Sequence, residues 1–171
     1  ETVAMAAENR EKITDSERLR VMYTSGAAGL GTNAQGSTQA QALELVGAEN
    51  AIVVPDVSNR GGGNLIDLEQ LYNFDPDVIV FTAGSLFDSV AADPAWQGLR
   101  AIESGQYYEV PALPYSWLSN PPSVNMLLGV WWLGNLLYPQ YYSYDMTAKA
   151  QEIYQLLWGY PLTQEEAAVL L

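Results

Sequence analysis

The chain has 171 residues, 49% of them apolar, and 20 acidic against 7 basic side chains give a formal net charge of −13. Length and composition suffice for one domain with a sizeable core, while the charge excludes nucleic acid and anionic membrane surfaces, which require clustered Lys and Arg. With neither Cys nor His, disulfides, thiolate metal sites, cysteine nucleophiles and Ser-His-Asp triads are ruled out, so binding is expected rather than catalysis.

In chain order, residues 1–18 are charged, Ala-rich and free of Gly and Pro, which predicts one largely exposed helix. The opening ETVAMAAENREKI lacks the basic-then-apolar pattern of a signal peptide and reads as helix interior. Val21-Met22-Tyr23-Thr24 is the first strand, and the glycine-rich segment SGAAGLGTNAQGS leads to a helix from about Ser37, closed by Gly47. Residues 51–54 are expected to form a second strand, followed by an irregular, mobile SNRGGGN loop. Asp67 caps a helix carrying Leu68, Leu71 and Tyr72, and the unbroken apolar run at 78–81 reads as a central parallel strand.

Helical material is expected at 86–90, 94–99 and up to Gly105, then a strand at 107–110. Pro121 and Pro122 suit the first turn of an apolar helix that Pro139 ends, with Val124, Leu127, Leu128, Trp131, Trp132 and Leu136 on one face. That helix is broken by Asn125, Gly129, Gly134 and Asn135, and no stretch of about twenty apolar residues exists to cross a membrane. A helix at 146–158 follows, and Thr163 with Glu166 forms a capping box for a last short one. Strands alternating with helices predict an α/β fold: a three-layer, Rossmann-like lobe around a central, mainly parallel sheet.

Several residues invite a chemical reading. Residues 29–34, GLGTNA, match the G-x-G-x-x-G/A dinucleotide fingerprint, with Asp56 some twenty residues on, but Gln35-Gly36 delays the helix that the fingerprint needs at once. An NAD-type nucleotide-binding enzyme is therefore the alternative function. Asp75 and Asp77 bracket a proline turn and read as turn and cap residues rather than a carboxylate pair. Tyr115, Ser116 and Trp117 follow the last predicted strand, at the end where open α/β sheets bind ligands. Arg60, alone in its glycine-rich loop, has the fork geometry to hold an anionic ligand. The remaining aromatics, including Trp131, Trp132, Tyr142, Tyr154 and Trp158, follow helical spacing and are assigned to packing.

Six segments in order carry a resemblance: Gly36-Ser37 opening a helix that ends ELVGAEN, then LEQL at 68–71, DPDVIV at 75–80, DPAWQGLRAI at 93–102, the strand at 105–111, and PYSW at 114–117 running on to Pro139. Together they are similar to the C-terminal lobe of class III substrate-binding proteins of ABC importers, the receptors for iron-siderophores, haem and cobalamin. The resemblance implies an extracytoplasmic protein, periplasmic or a cell-surface lipoprotein, with two lobes joined by one long helix. It takes residues 1–18 as the end of that linker helix and 19–171 as the C-terminal lobe, with the N-terminal lobe outside this chain. It implies an iron chelate, haem or corrinoid ligand, an ABC permease as partner, and no cofactor, metal or catalytic residue. Trp117, Tyr115 and Ser116 fall where the family presents its cleft, the glycine loops with Leu30, Thr32 and Arg60 border it, and Glu69 matches a glutamate that docks onto permease arginines.

Overall fold

The computed structural model describes residues 1–119 and 121–171. Six strands, β1 (Arg20–Ser25), β2 (Gly31–Thr32), β3 (Glu49–Asn50), β4 (Asn64–Leu65), β5 (Val78–Phe81) and β6 (Tyr107–Glu109), form one sheet. Among the described residues, eight α-helices accompany them: α1 (Thr2–Arg10), α2 (Gln41–Leu45), α3 (Leu68–Phe74), α4 (Phe87–Val90), α5 (Arg100–Glu103), α6 (Asn125–Leu137), α7 (Met146–Trp158) and α8 (Gln164–Val169). The strand order is β4-β2-β1-β5-β6, with β3 beside the start of β1. β3, β5 and β6 are parallel to their neighbours, whereas β2 and β4 are antiparallel.

Strand periodicity divides the core into two layers. Val21, Tyr23, Val78 and Val80 point into a cluster with α1, α2, α6, α7 and α8. Met22, Ile79 and Phe81 point the other way, toward Leu71 of α3, Val90 of α4, and Trp96, Leu99 and Ile102. All four residues of β5 are buried, as befits a central strand covered on both faces. The expected three-layer α/β lobe is therefore present.

Element boundaries differ where side chains compete with the backbone. The single helix expected over 1–18 ends at Arg10, because Thr14 and Glu17 form a capping box that starts a separate 3-10 turn at Asp15–Glu17. Nor is α1 freely exposed, since Ala6 and Asn9 are buried. The second strand stops at Asn50: the Ala51 N–H still donates to the Val21 carbonyl at 2.9 Å, but the Ile52 N–H goes to Asn50 Oδ1 at 3.0 Å, and Asn50 Nδ2 donates to the Asn33 carbonyl at 2.9 Å. Residues 94–99 form successive turns around buried Trp96 rather than a helix.

α6 begins at Asn125, four residues after the first proline. Pro122 disfavours helical geometry at Pro121, and the Asn125 amide donates to the carbonyls of Ser116 and Pro121. The helix stops at Leu137, before Pro139, as expected. Gly129 lets α6 close onto the preceding loop: a Cβ there would lie 2.8 Å from the Trp117 carbonyl carbon and nearer still to its oxygen.

Candidate functional site: the C-terminal edge of the sheet

β1, β5 and β6 end along one edge, and the chain leaves them through loops 26–30, 82–86 and 110–119. This is the edge at which open α/β sheets place ligands. The first loop turns back at once. Gly26 and Gly29 have φ of 83° and 66°, the Thr24 hydroxyl donates to the Gly31 carbonyl at 2.9 Å, and Gly31–Thr32 pairs antiparallel with Thr24 and Ser25. The second loop is held from below by Glu109, whose carboxylate accepts the Gly84 N–H at 3.2 Å. Ser85 beside it has a buried hydroxyl oxygen with no hydrogen-bond partner among the described residues.

The glycine-rich segment after Pro55 is ordered by Asn64, which accepts the Ser58 N–H at 2.9 Å and donates to the Asp56 carbonyl at 2.7 Å. The expected irregular connection is thus tied to the sheet at its end, through Asn64. Gly63, with φ of 67°, sits so close to β2 that a Cβ would come within 2.7 Å of the Thr32 carbonyl carbon. The third loop contains a cis peptide bond between Leu113 and Pro114. It is tied down by Trp117, whose N–H donates to the Pro111 carbonyl and whose indole Nε1–H donates to the Leu113 carbonyl, each at 2.9 Å.

The residues proposed from sequence separate into accessible and inaccessible groups. Tyr115 is 57% exposed. Arg60 is exposed and makes no ion pair among the described residues. Glu69 is exposed in the first turn of α3. Ser116 is half-buried, with its hydroxyl accepting the Ser119 N–H at 3.4 Å. Leu30 is half-buried against the α3 side of the core.

Thr32 and Trp117, by contrast, are fully buried. The Thr32 hydroxyl is spent on the Asn64 carbonyl at 3.0 Å, joining β2 to β4. Trp117 packs with Leu118 and Leu128 in the main core, its only polar atom already satisfied. Neither side chain reaches the rim in this conformation, because the loop folds its largest ring inward to anchor itself. The GLGTNA segment also departs from the dinucleotide fingerprint. Its second glycine opens β2 and the next helical turn starts only at Thr38, so no helix N-terminus faces the loop for a pyrophosphate. Asp75 and Asp77 do act as a turn and cap: Asp75 closes α3 with φ of 36°, and both carboxylates pair with Arg100 at 3.3 and 2.7 Å.

A hollow of about 780 Å³ opens beside the third loop, between Leu113, Tyr115, Tyr154 and Trp158 of α7, Tyr160, and Leu170 beyond α8. The Tyr154 hydroxyl donates to the Leu113 carbonyl, which brings the C-terminal half of α7 alongside the loop. Tyr154 and Trp158 meet edge to face with centroids 4.8 Å apart. Their four-residue spacing signalled a shared helix face; that the face would meet the loop was not visible locally. The Tyr160 hydroxyl donates to Glu166 at 2.8 Å, which raises the tyrosine pKa, while the Thr163 N–H and that same hydroxyl lower the pKa of Glu166.

No family model and no curated protein matches the sequence. Among solved structures, an ABC transporter solute binding protein from Sulfurospirillum deleyianum is 28% identical over 98% of this chain and 54% of its own, with a TM-score of 0.83. A periplasmic solute binding protein from Veillonella parvula is 21% identical over 98% of this chain and 50% of its own, at TM-score 0.80. MolA, the molybdate periplasmic binding protein of a Haemophilus influenzae ABC transporter, solved with molybdate bound, is 22% identical over 94% of this chain and 48% of its own, at 0.76. The chain spans about half the length of these proteins. A TroA-like periplasmic binding protein from Veillonella parvula shares the fold at TM-score 0.58. With its mainly parallel sheet and pinned strand-end loops, the chain has, over nearly its whole length, the fold of about half of an ABC transporter solute binding protein.

Proposed function

We propose that this chain is the ligand-capturing C-terminal lobe of an extracytoplasmic substrate-binding component of an ABC importer, with residues 1–18 leading in from an inter-lobe helix. The observation that carries the reading is the 28% identity and TM-score of 0.83, over 98% of the chain, to an ABC transporter solute binding protein. Binding rather than catalysis fits a strand-end rim bordered by small hydroxyls and by Arg60, which makes no ion pair among the described residues. The ligand is an iron chelate, haem or corrinoid, held between two closing lobes against Tyr115 and the glycine loops. Glu69, exposed on α3, is this lobe's contact for a basic patch on the permease.

A small oxyanion is the second reading. It is favoured by the exposed cation Arg60 beside the glycine loops and by the molybdate bound to MolA. Calorimetric titration of the full gene product with a ferric siderophore, haemin, cyanocobalamin and molybdate tests both readings. One ligand is expected to bind saturably and to lose about tenfold or more on Tyr115→Ala if it stacks there, or on Arg60→Ala if it is an oxyanion. Failure of all four to bind, or saturable binding of NADH, refutes the assignment.

A further inference from the structure

The hollow between the 113–115 loop, α7 and α8 has a character the strand-end rim lacks. Four aromatic rings, Tyr115, Tyr154, Trp158 and Tyr160, stand around a space of about 780 Å³, a volume suited to a small organic ligand. Among the described residues, its only charged lining groups are Glu165 and Glu166. Glu166 is held in place by the Tyr160 hydroxyl and by the Thr163 N–H, both at 2.8 Å, so its charge has a fixed position in the lining. Glu165 is exposed and has no partner among the described residues. Aromatic faces attract cations, and carboxylates in the lining reinforce that preference while repelling anions.

We infer that this hollow is a binding site for a small organic cation carrying an apolar or aromatic body, such as a quaternary ammonium or protonated amine, separate from the site of the transported ligand. The cationic head lies toward Glu165 and Glu166, against Tyr160 and Trp158, and the apolar body lies against Leu113, Leu162 and Leu170. Apart from Leu113, Pro114 and Tyr115, the last shared with the proposed transport site, the hollow is lined by α7, α8 and residues beside them, so the inference stands without the transport reading.

The test is a titration of the full gene product with benzyltrimethylammonium, with phenylmethanesulfonate as an anion of similar size, followed by calorimetry and by the Trp158 indole N–H resonance. The cation is expected to bind saturably and to shift that resonance, with the anion at least tenfold weaker. Glu165→Gln and Tyr160→Ala, both at exposed positions, should each weaken the cation about threefold to fivefold, the effect of losing one charge or one cation–π partner, while far-ultraviolet circular dichroism stays unchanged. Equal affinity for cation and anion, absence of saturable cation binding, or unaltered affinity in both variants overturns the inference. Both variants leave Tyr115 intact, so their outcomes are read separately from the siderophore, haem, cobalamin and molybdate titrations.

Discussion

Replacing Gly129 by alanine sets two effects of opposite sign against each other. In an exposed helix interior the change would stabilise by about 1 kcal/mol, through helix propensity alone. Here the new methyl would lie 2.8 Å from the Trp117 carbonyl carbon and 2.9 Å from Leu118 Cδ2, and closer still to the Trp117 oxygen. That carbonyl cannot step aside cheaply. Its residue is tied by the Trp117 N–H to Pro111, by the indole to Leu113 and, one residue earlier, by the Asn125 amide to Ser116. Overpacking of this kind costs about 1–3 kcal/mol, and the fixed backbone puts it near the upper end. The net expectation is a loss of about 2 kcal/mol, or roughly 4–8 °C in Tm for a chain of this size. Urea denaturation followed by tryptophan fluorescence reads it directly. A Gly129→Ala protein as stable as the parent, or more so, would mean that α6 does not close on the loop that shapes the rim.

Trp117→Ala should cost about 3–5 kcal/mol as a core truncation, whereas Tyr115→Ala should leave stability within about 0.5 kcal/mol; paired denaturation curves separate an anchor from a contact, and equal losses would contradict the assignment. Asp77 accepts the Arg20 N–H at 2.8 Å and pairs with Arg100, so Asp77→Ala should destabilise by about 1–3 kcal/mol, and an unchanged urea midpoint would count against those bonds. Alkaline pH should weaken the fold. Burial raises the pKa of Tyr142 to about 12, and burial likewise raises those of Tyr23, Tyr138 and Tyr154. Below about pH 10 both folded and unfolded states keep these protons, so the stability is fully present. Above it the unfolded chain ionises first, and Tyr142 alone removes about 2–3 kcal/mol by about pH 12. Flat denaturation midpoints from about pH 9 to about pH 11.5 would disprove that burial effect.

The features legible in the sequence were those carried by local pattern. The apolar run at 78–81 announced β5 as a doubly covered strand, Pro139 announced the end of α6, and Thr163 with Glu166 announced α8. Features made by distant partners were not legible. The start of α6 depends on Asn125 reaching Ser116, and β2 and β4 are two-residue strands without hydrophobic alternation. Trp117 read as a cleft residue because its loop follows β6, yet its ring is buried and its indole N–H donates to Leu113, while Gly129, twelve residues on, leaves room for its carbonyl. Glu109 reached the rim by contact with Gly84, and the aromatic hollow arises where three separate segments converge, so no local signal marked either.

Import itself tests the central claim most directly. Cells lacking the gene should fail to take up one of a radiolabelled ferric siderophore, haem, cobalamin or molybdate. Uptake should return with the parent gene, whereas Glu69→Arg should keep ligand affinity and restore little transport. Uptake of all four that is unchanged by the deletion would contradict the account.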